Sequence, residues 1–184
     1  IGGHVNDLTV AAAKVAGIKN IARLGGAQSI AAFSFGTESI PKVDKIVGPG
    51  NVFVAEAKRQ LFGKVGIDSI AGPSEIVILA NETSSPEIVA WDLMAQAEHD
   101  EMAQAILISE DAGLLNAVER EIQDRLQEMP RKEIARKSLG KRGALIKVCA
   151  REEALRVVNK IAPEHLELAI VNPSAVIDEV KHAG

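Results

Sequence analysis

Short runs rich in β-branched residues alternate with longer helix-favouring stretches along most of this chain, and glycines stand at many of the joints. That rhythm is the strongest constraint on the fold, because strand–helix alternation is met by layered α/β architectures. Residues 8–16 favour a helix closed by Gly17, residues 21–24 read as a strand, and Gly25-Gly26 opens onto a helix over 27–35. The plan then repeats, with a strand at 45–47, the turn Gly48-Pro49-Gly50 and a helix over 52–62, so that an amide residue, Gln28 or Asn51, follows each glycine turn. Further along, strands are expected at 66–70, 75–80, 105–109, 145–149 and 166–171. Helices are expected over 86–98, 113–129, 131–139, 152–161 and 174–182. The turn Ala71-Gly72-Pro73-Ser74 separates the two styles, which places one subdomain at residues 1–73 and a second at 74–184. The expected fold is α/β, built of Rossmann-like layered βα units in two small subdomains.

Composition removes several function classes. Hydrophobic residues form 47% of the 184 positions, enough for a core and too many for a disordered chain. Aromatics form 3%, with no Tyr, which disfavours base-stacking platforms. The formal net charge is −4 with no long basic run, so no nucleic-acid surface is expected. No apolar run approaches the roughly 20 residues of a membrane-spanning helix, and neither a signal peptide nor a membrane partner is expected; the expected compartment is the cytoplasm. Cys149 lies in an apolar run and is expected to be a small buried hydrophobe. Beginning at Ile1 and stopping at Gly184, the chain reads as an internal piece of something longer.

Four segments carry polar chemistry. In Gln96-Ala97-Glu98-His99, the amide and the imidazole stand three residues apart, on one face near a helix C-terminus, where they can share a metal ion. The competing reading is a polar helix end with a histidine favoured by the helix dipole. Glu164-His165 supplies two groups that exchange protons near neutral pH, but adjacent residues in an extended segment point apart, so a turn at Pro163 is required. Alone, the dipeptide also fits a solvated loop. The glycine turns before Gln28 and Asn51 could bring backbone N–H groups close to a phosphate, although neither matches a dinucleotide fingerprint or a Walker loop. Ser74 could donate a hydrogen bond to a substrate or satisfy its own turn.

Taken in order, these segments resemble the histidinol dehydrogenase family. The resemblance is carried by Gly25-Gly26-Ala27-Gln28-Ser29-Ile30-Ala31-Ala32, by Pro41-Lys42-Val43-Asp44-Lys45-Ile46-Val47-Gly48-Pro49-Gly50-Asn51, and by Glu56-Ala57-Lys58-Arg59-Gln60. It continues through Ala71-Gly72-Pro73-Ser74-Glu75, Gln96-Ala97-Glu98-His99 and Pro163-Glu164-His165-Leu166, and so runs nearly the length of the chain.

The resemblance implies oxidation of L-histidinol to L-histidine through the aldehyde with two NAD, a zinc ion, and an intertwined homodimer. By position it implies Gln96 and His99 as zinc ligands that also touch substrate, and Ser74 and His165 as substrate contacts. It further implies Glu164 and His165 as the acid–base pair, and Gln28 and Asn51 as NAD contacts. It also implies two more zinc ligands, an Asp and a His, beyond Gly184, so the piece alone is expected to be inactive. Two other functions remain open at this level. A non-catalytic nucleotide-binding module would keep Gln28 and Asn51 and have no use for Gln96, His99, Glu164 and His165 together, and a zinc hydrolase would not need NAD.

Overall fold

The computed structural model describes residues 5–70, 72 and 74–184. His4, to which the sequence assigns no role, and Ala71 and Pro73 of the expected turn lie outside the described residues. The chain divides into two compact units, Ile1–Gly72 and Pro73–Gly184.

The first unit contains helices α1 (Asp7–Val15), α2 (Ala27–Phe35) and α3 (Val52–Leu61), and a parallel pair of two-residue strands, β1 (Lys45–Ile46) and β2 (Gly66–Ile67). Asn6 caps α1 by accepting from the Leu8 N–H at 2.9 Å, and Gly17 follows the helix with φ +73°. The strand expected at 21–24 does not form; those residues are coil and exposed. Their β-branched content has no partner strand to pair with, and a lone strand leaves its backbone groups unpaired. The two glycine-turn segments therefore differ. Asn51 is the N-cap of α3, whereas Gln28 is the second residue of α2, after an uncapped Gly26.

The second unit is a four-stranded parallel sheet in the order β5–β4–β3–β6, from β3 (Glu75–Ala80), β4 (Gln104–Ser109), β5 (Ala144–Lys147) and β6 (His165–Ala169). Helices α4 (Pro86–Ala97), α5 (Ala112–Arg125) and α6 (Lys132–Arg142) cover one face, and α7 (Arg151–Ile161) covers the other. That division follows from handedness. The chain steps outward from β3 to β4 to β5, then returns past β3 to β6, and right-handed crossovers in opposite directions must use opposite faces. Both faces are covered, which is why β3 and β4 read as unbroken apolar runs rather than alternating ones. Ile78, Leu107, Leu93 and Met94 centre the cluster beneath α4, and Val77, Ile108, Leu155 and Val158 centre the cluster beneath α7.

Two local expectations are overturned here. Cys149 is exposed. Strand β5 ends at Lys147, Val148 takes the buried place, and the Cys149 N–H donates at 2.7 Å to Glu153 Oε2 at the start of α7. The helix expected over 174–182 is instead two single 3₁₀ turns, Pro173–Ala175 and Ile177–Glu179, followed by extended chain. Asn159 of α7 holds that extended part. Its amide donates to Glu179 O at 2.9 Å, and its Oδ1 accepts from the Lys181 and His182 N–H groups at 2.6 and 3.2 Å. Those backbone groups are thus satisfied without a helix. Among the described residues, no helix is long and apolar enough to cross a membrane.

Candidate functional site

In the second unit the chemically able side chains gather at the amino edge of the sheet. Ser74 immediately precedes β3, His165 opens β6, and the register pairs Ile76 with His165. Helix α4 runs antiparallel to the strands, so its C-terminal residues Gln96 and His99 return to the same edge. Gln96 is 9% exposed, and its Nε2 donates to Ser74 O at 3.2 Å, which ties the helix end to the start of β3. This bond also fixes the amide orientation and leaves Oε1 without a hydrogen-bond partner among the described residues. His99 is exposed just beyond the helix, its N–H donating to Gln96 O at 3.2 Å. Its carbonyl accepts from Arg131 at 3.3 Å, and Lys137 bridges to Glu101 at 2.7 Å, so the loop is held from the α6 side.

Side-chain alternation adds a third member. Leu166, Leu168 and Ile170 pack on the α7 face, which turns His165, Glu167 and Ala169 toward the α4 face. His165 therefore shares a face with Gln96. The turn that Glu164 and His165 require is present. Ala162 ends α7 in the left-handed region (φ 54°, ψ 58°), Pro163 is fully buried, and the chain bends at Glu164. Glu164 Oε1 and His165 Nε2 lie 3.9 Å apart, both exposed, a separation that one small displacement or one water can convert into proton exchange. The segment held by Asn159 reaches this turn, where the Gly184 N–H donates to Pro163 O at 3.1 Å.

The donor chemistry of Gln96 and His99, one amide oxygen and one imidazole, suits a borderline cation such as zinc, but two ligands from one helix turn do not complete a four-coordinate shell. No cluster of three or more His, Cys, Asp or Glu side chains forms among the described residues.

At the opposite, carboxyl edge, a crevice of about 360 Å³ is lined by Asn81, Glu82, Glu110, Arg151 and Asn172. In a sheet of this order, that edge is where a dinucleotide usually sits. Here the helix starts carry acids. Asp111 caps α5 by accepting from the Gly113 N–H at 2.7 Å, Glu87 lies in the first turn of α4, and Glu152 and Glu153 lie in that of α7. Asp111 fills the α5 N-terminus, and the glutamates in the first turns of α4 and α7 put negative charge where a pyrophosphate would sit.

The first unit has its own polar feature at Gly48-Pro49-Gly50-Asn51. Asn51 Oδ1 accepts from the Phe53 and Val54 N–H groups, both at 3.1 Å, so its NH₂ is left as an oriented, exposed donor. A Cβ on Gly50 would collide with the Val54 side chain. Gly26, at φ +76°, similarly leaves room for the Gln28 amide to fold back over the turn, where a Cβ would stand 2.9 Å from Oε1. Lys58, within one of the family-like stretches but given no role by the sequence, and Asp68 brace the Gly48 turn. The signal for them is weak in sequence: a lysine two helical turns after an N-cap, whose side chain leans toward the helix start.

A parallel α/β scaffold that brings a carboxylate–imidazole pair and an amide–imidazole pair to one sheet edge presents a candidate enzyme site. The comparisons make the class specific. A family model for histidinol dehydrogenase matches residues 2–184, and the chain belongs to that family. It is 53% identical over 182 residues to a histidinol dehydrogenase of Pseudomonas fluorescens, covering 99% of this chain and 41% of the relative. It is 52% identical over 183 residues to one of Ralstonia nicotianae, covering 100% of this chain and 41% of the relative. A crystal structure of histidinol dehydrogenase from Elizabethkingia anophelis superposes with a TM-score of 0.86 at 42% identity, covering 94% of this chain and 40% of that one. The chain thus spans about two fifths of the curated relatives it matches.

Proposed function

We propose that the protein carrying this segment oxidises L-histidinol to L-histidine in two NAD-dependent steps, as an oxidoreductase of histidine biosynthesis. Family membership supports the reaction. The observation that carries the site assignment is the convergence of Ser74, Gln96 and the Glu164–His165 turn on one edge of the sheet.

In this reading Gln96 Oε1 and His99 are two of the zinc ligands, joined by the Asp and His that the family resemblance implies further along the chain. Bound zinc would supply a Lewis acid that holds the amine and imidazole of histidinol. Ser74 and His165 contact the substrate, with Gln96 and His99 beside it. His165 would accept the alcohol proton, and for the second half Glu164 would deprotonate a water that adds to the aldehyde. Bound NAD would supply the hydride acceptor in each half. Gln28 and the NH₂ of Asn51 are the NAD contacts. The working form is a homodimer in the cytoplasm.

The test is NADH formation by the full-length protein supplied with L-histidinol and zinc. Two NADH per histidinol are expected. Glu164→Gln and His165→Asn should each lower kcat by about 100-fold or more with zinc content unchanged. NAD binding with no histidinol-dependent turnover would favour a nucleotide-binding module instead. The 184-residue chain alone is expected to be silent in the same assay. Turnover comparable to the full-length protein would overturn that expectation.

A further inference from the structure

Lys58 is the most deeply buried charged side chain of the first unit, at 2% exposure, although it lies on a helix with little apolar cover. Burying an ammonium costs several kcal/mol unless it is paired and hydrogen-bonded (roughly the scale for any buried ion), so its partners show what the cost supports. Its Nζ donates to the carbonyl of Gly48, to Asp68 Oδ1 at 2.7 Å and to Ser69 O at 3.5 Å. The other oxygen of the same carboxylate, Asp68 Oδ2, accepts from the Gly48 N–H at 2.7 Å. Both backbone polar groups of Gly48 are therefore held by one ion pair, the carbonyl by the lysine and the amide by the aspartate.

Gly48 has φ +109°, a backbone region that offers little resistance to rearrangement in glycine. Among the described residues, the ion pair supplies the hydrogen bonds to both the N–H and the carbonyl of Gly48. Three residues on stands Asn51, whose carbonyl oxygen is committed to capping α3 and whose NH₂ is free. Lys58 stands on that same helix, so the ion pair ties the Gly48 turn to the helix whose N-terminus orients the NH₂.

We propose that Lys58 and Asp68 are positioning residues for the cofactor side of the reaction: an ion pair between a buried lysine and a solvent-exposed aspartate that locks the Gly48 peptide and so presents Asn51 to NAD. The inference rests on the reading of Asn51 as an NAD contact. It assigns to Lys58 and Asp68 no direct contact with the cofactor, and it predicts an effect on dinucleotide affinity that is separate from histidinol affinity.

Isothermal titration of NAD and, separately, of L-histidinol into the full-length protein tests it, with wild type, Lys58→Met, Asp68→Asn and Asn51→Ala side by side. Lys58→Met should weaken NAD binding about tenfold and leave histidinol binding within about twofold, the scale seen when an outer partner of a ligand-binding group is lost. Asp68→Asn keeps an acceptor for the Gly48 N–H and loses the charge, so it should weaken NAD selectively but less. It decides the matter if Lys58→Met does not fold. Equal weakening of both ligands, or unchanged NAD affinity, overturns the proposal. Loss of NAD affinity in Asn51→Ala but not in the ion-pair variants sinks the ion-pair role alone. A wild type that binds no NAD fails the functional reading and takes the ion-pair role with it. Selective weakening in the ion-pair variants with Asn51→Ala unchanged also overturns the proposal, because Asn51 is then not what the pair presents.

Discussion

In the second unit, apolar clusters seal both faces of a four-stranded sheet, whereas in the first the buried side chains among the described residues are Ile30, Val65, Ser29, Ser34 and Lys58. One unit is held by area removed from water and the other in large part by individual polar atoms. Apolar burial is spread over many neighbours, so its loss scales with the volume deleted. The Lys58–Asp68 pair concentrates its effect in two side chains, and removing the solvent-exposed Asp68 leaves the buried Lys58 ammonium uncompensated. The scaffold that carries Ser74, Gln96, His99, Glu164 and His165 is thus robust to small polar changes, and the turn that carries Asn51 is sensitive to them.

The largest expected effect tests the apolar half of that contrast. Leu107→Ala, on a central strand with no exposure, should cost about 2–5 kcal/mol in urea denaturation. Ile30→Ala in the first unit should cost less, about 1–2 kcal/mol, because fewer apolar neighbours surround it. Equal losses would erase the distinction between the units.

A smaller effect of opposite sign lies at the Glu164 turn. Ala162 is the non-glycine residue with positive φ among the described residues, and the left-handed region costs an L-residue about 1–2 kcal/mol. Ala162→Gly should therefore raise the denaturation midpoint by up to about 1 kcal/mol of stability, while kcat falls if the strain helps hold Glu164 beside His165. A destabilised variant would show that the methyl group packs usefully and that strain is not stored there.

The smallest effect concerns an acid inside the robust unit. Burial first, and the Asp92 carboxylate second, raise the Glu167 pKa. The folded-state pKa lies above the unfolded one, so the unfolded chain sheds this proton more readily. Stability associated with Glu167 is then fullest below its unfolded pKa and declines as pH rises through the folded value. Glu167→Gln should add under about 1 kcal/mol at neutral pH, and the gain should vanish in denaturation series taken toward pH 4. A gain independent of pH would point to packing instead.

Much of the second unit was legible because its signals are local. Pro86 at a helix start and the unbroken apolar run of Ile76–Ala80 give that helix start and that strand directly. The strand read at 21–24 failed because β-branched content does not supply a partner, and the helix read at 174–182 failed because Asn159, far back in the chain, claims the backbone groups a helix would use. For the site, residue types and order were readable, including the turn demanded by Glu164-His165. Their gathering at the amino edge was not, since it depends on α4 reversing direction and on the Ile76–His165 register. Nor was the Lys58–Asp68 pair, whose contacts with Gly48 span 10 and 20 residues.

The outward turn of Cys149 has a practical consequence for any measurement of assembly. It is the sole cysteine, and it is exposed at the carboxyl edge, opposite Glu164 and His165. In air-oxidised buffer two chains can join through it, giving a species of twice 19.5 kDa with no native interface. Sedimentation or gel filtration therefore reports the true association state only with reductant present, or on a Cys149→Ser variant.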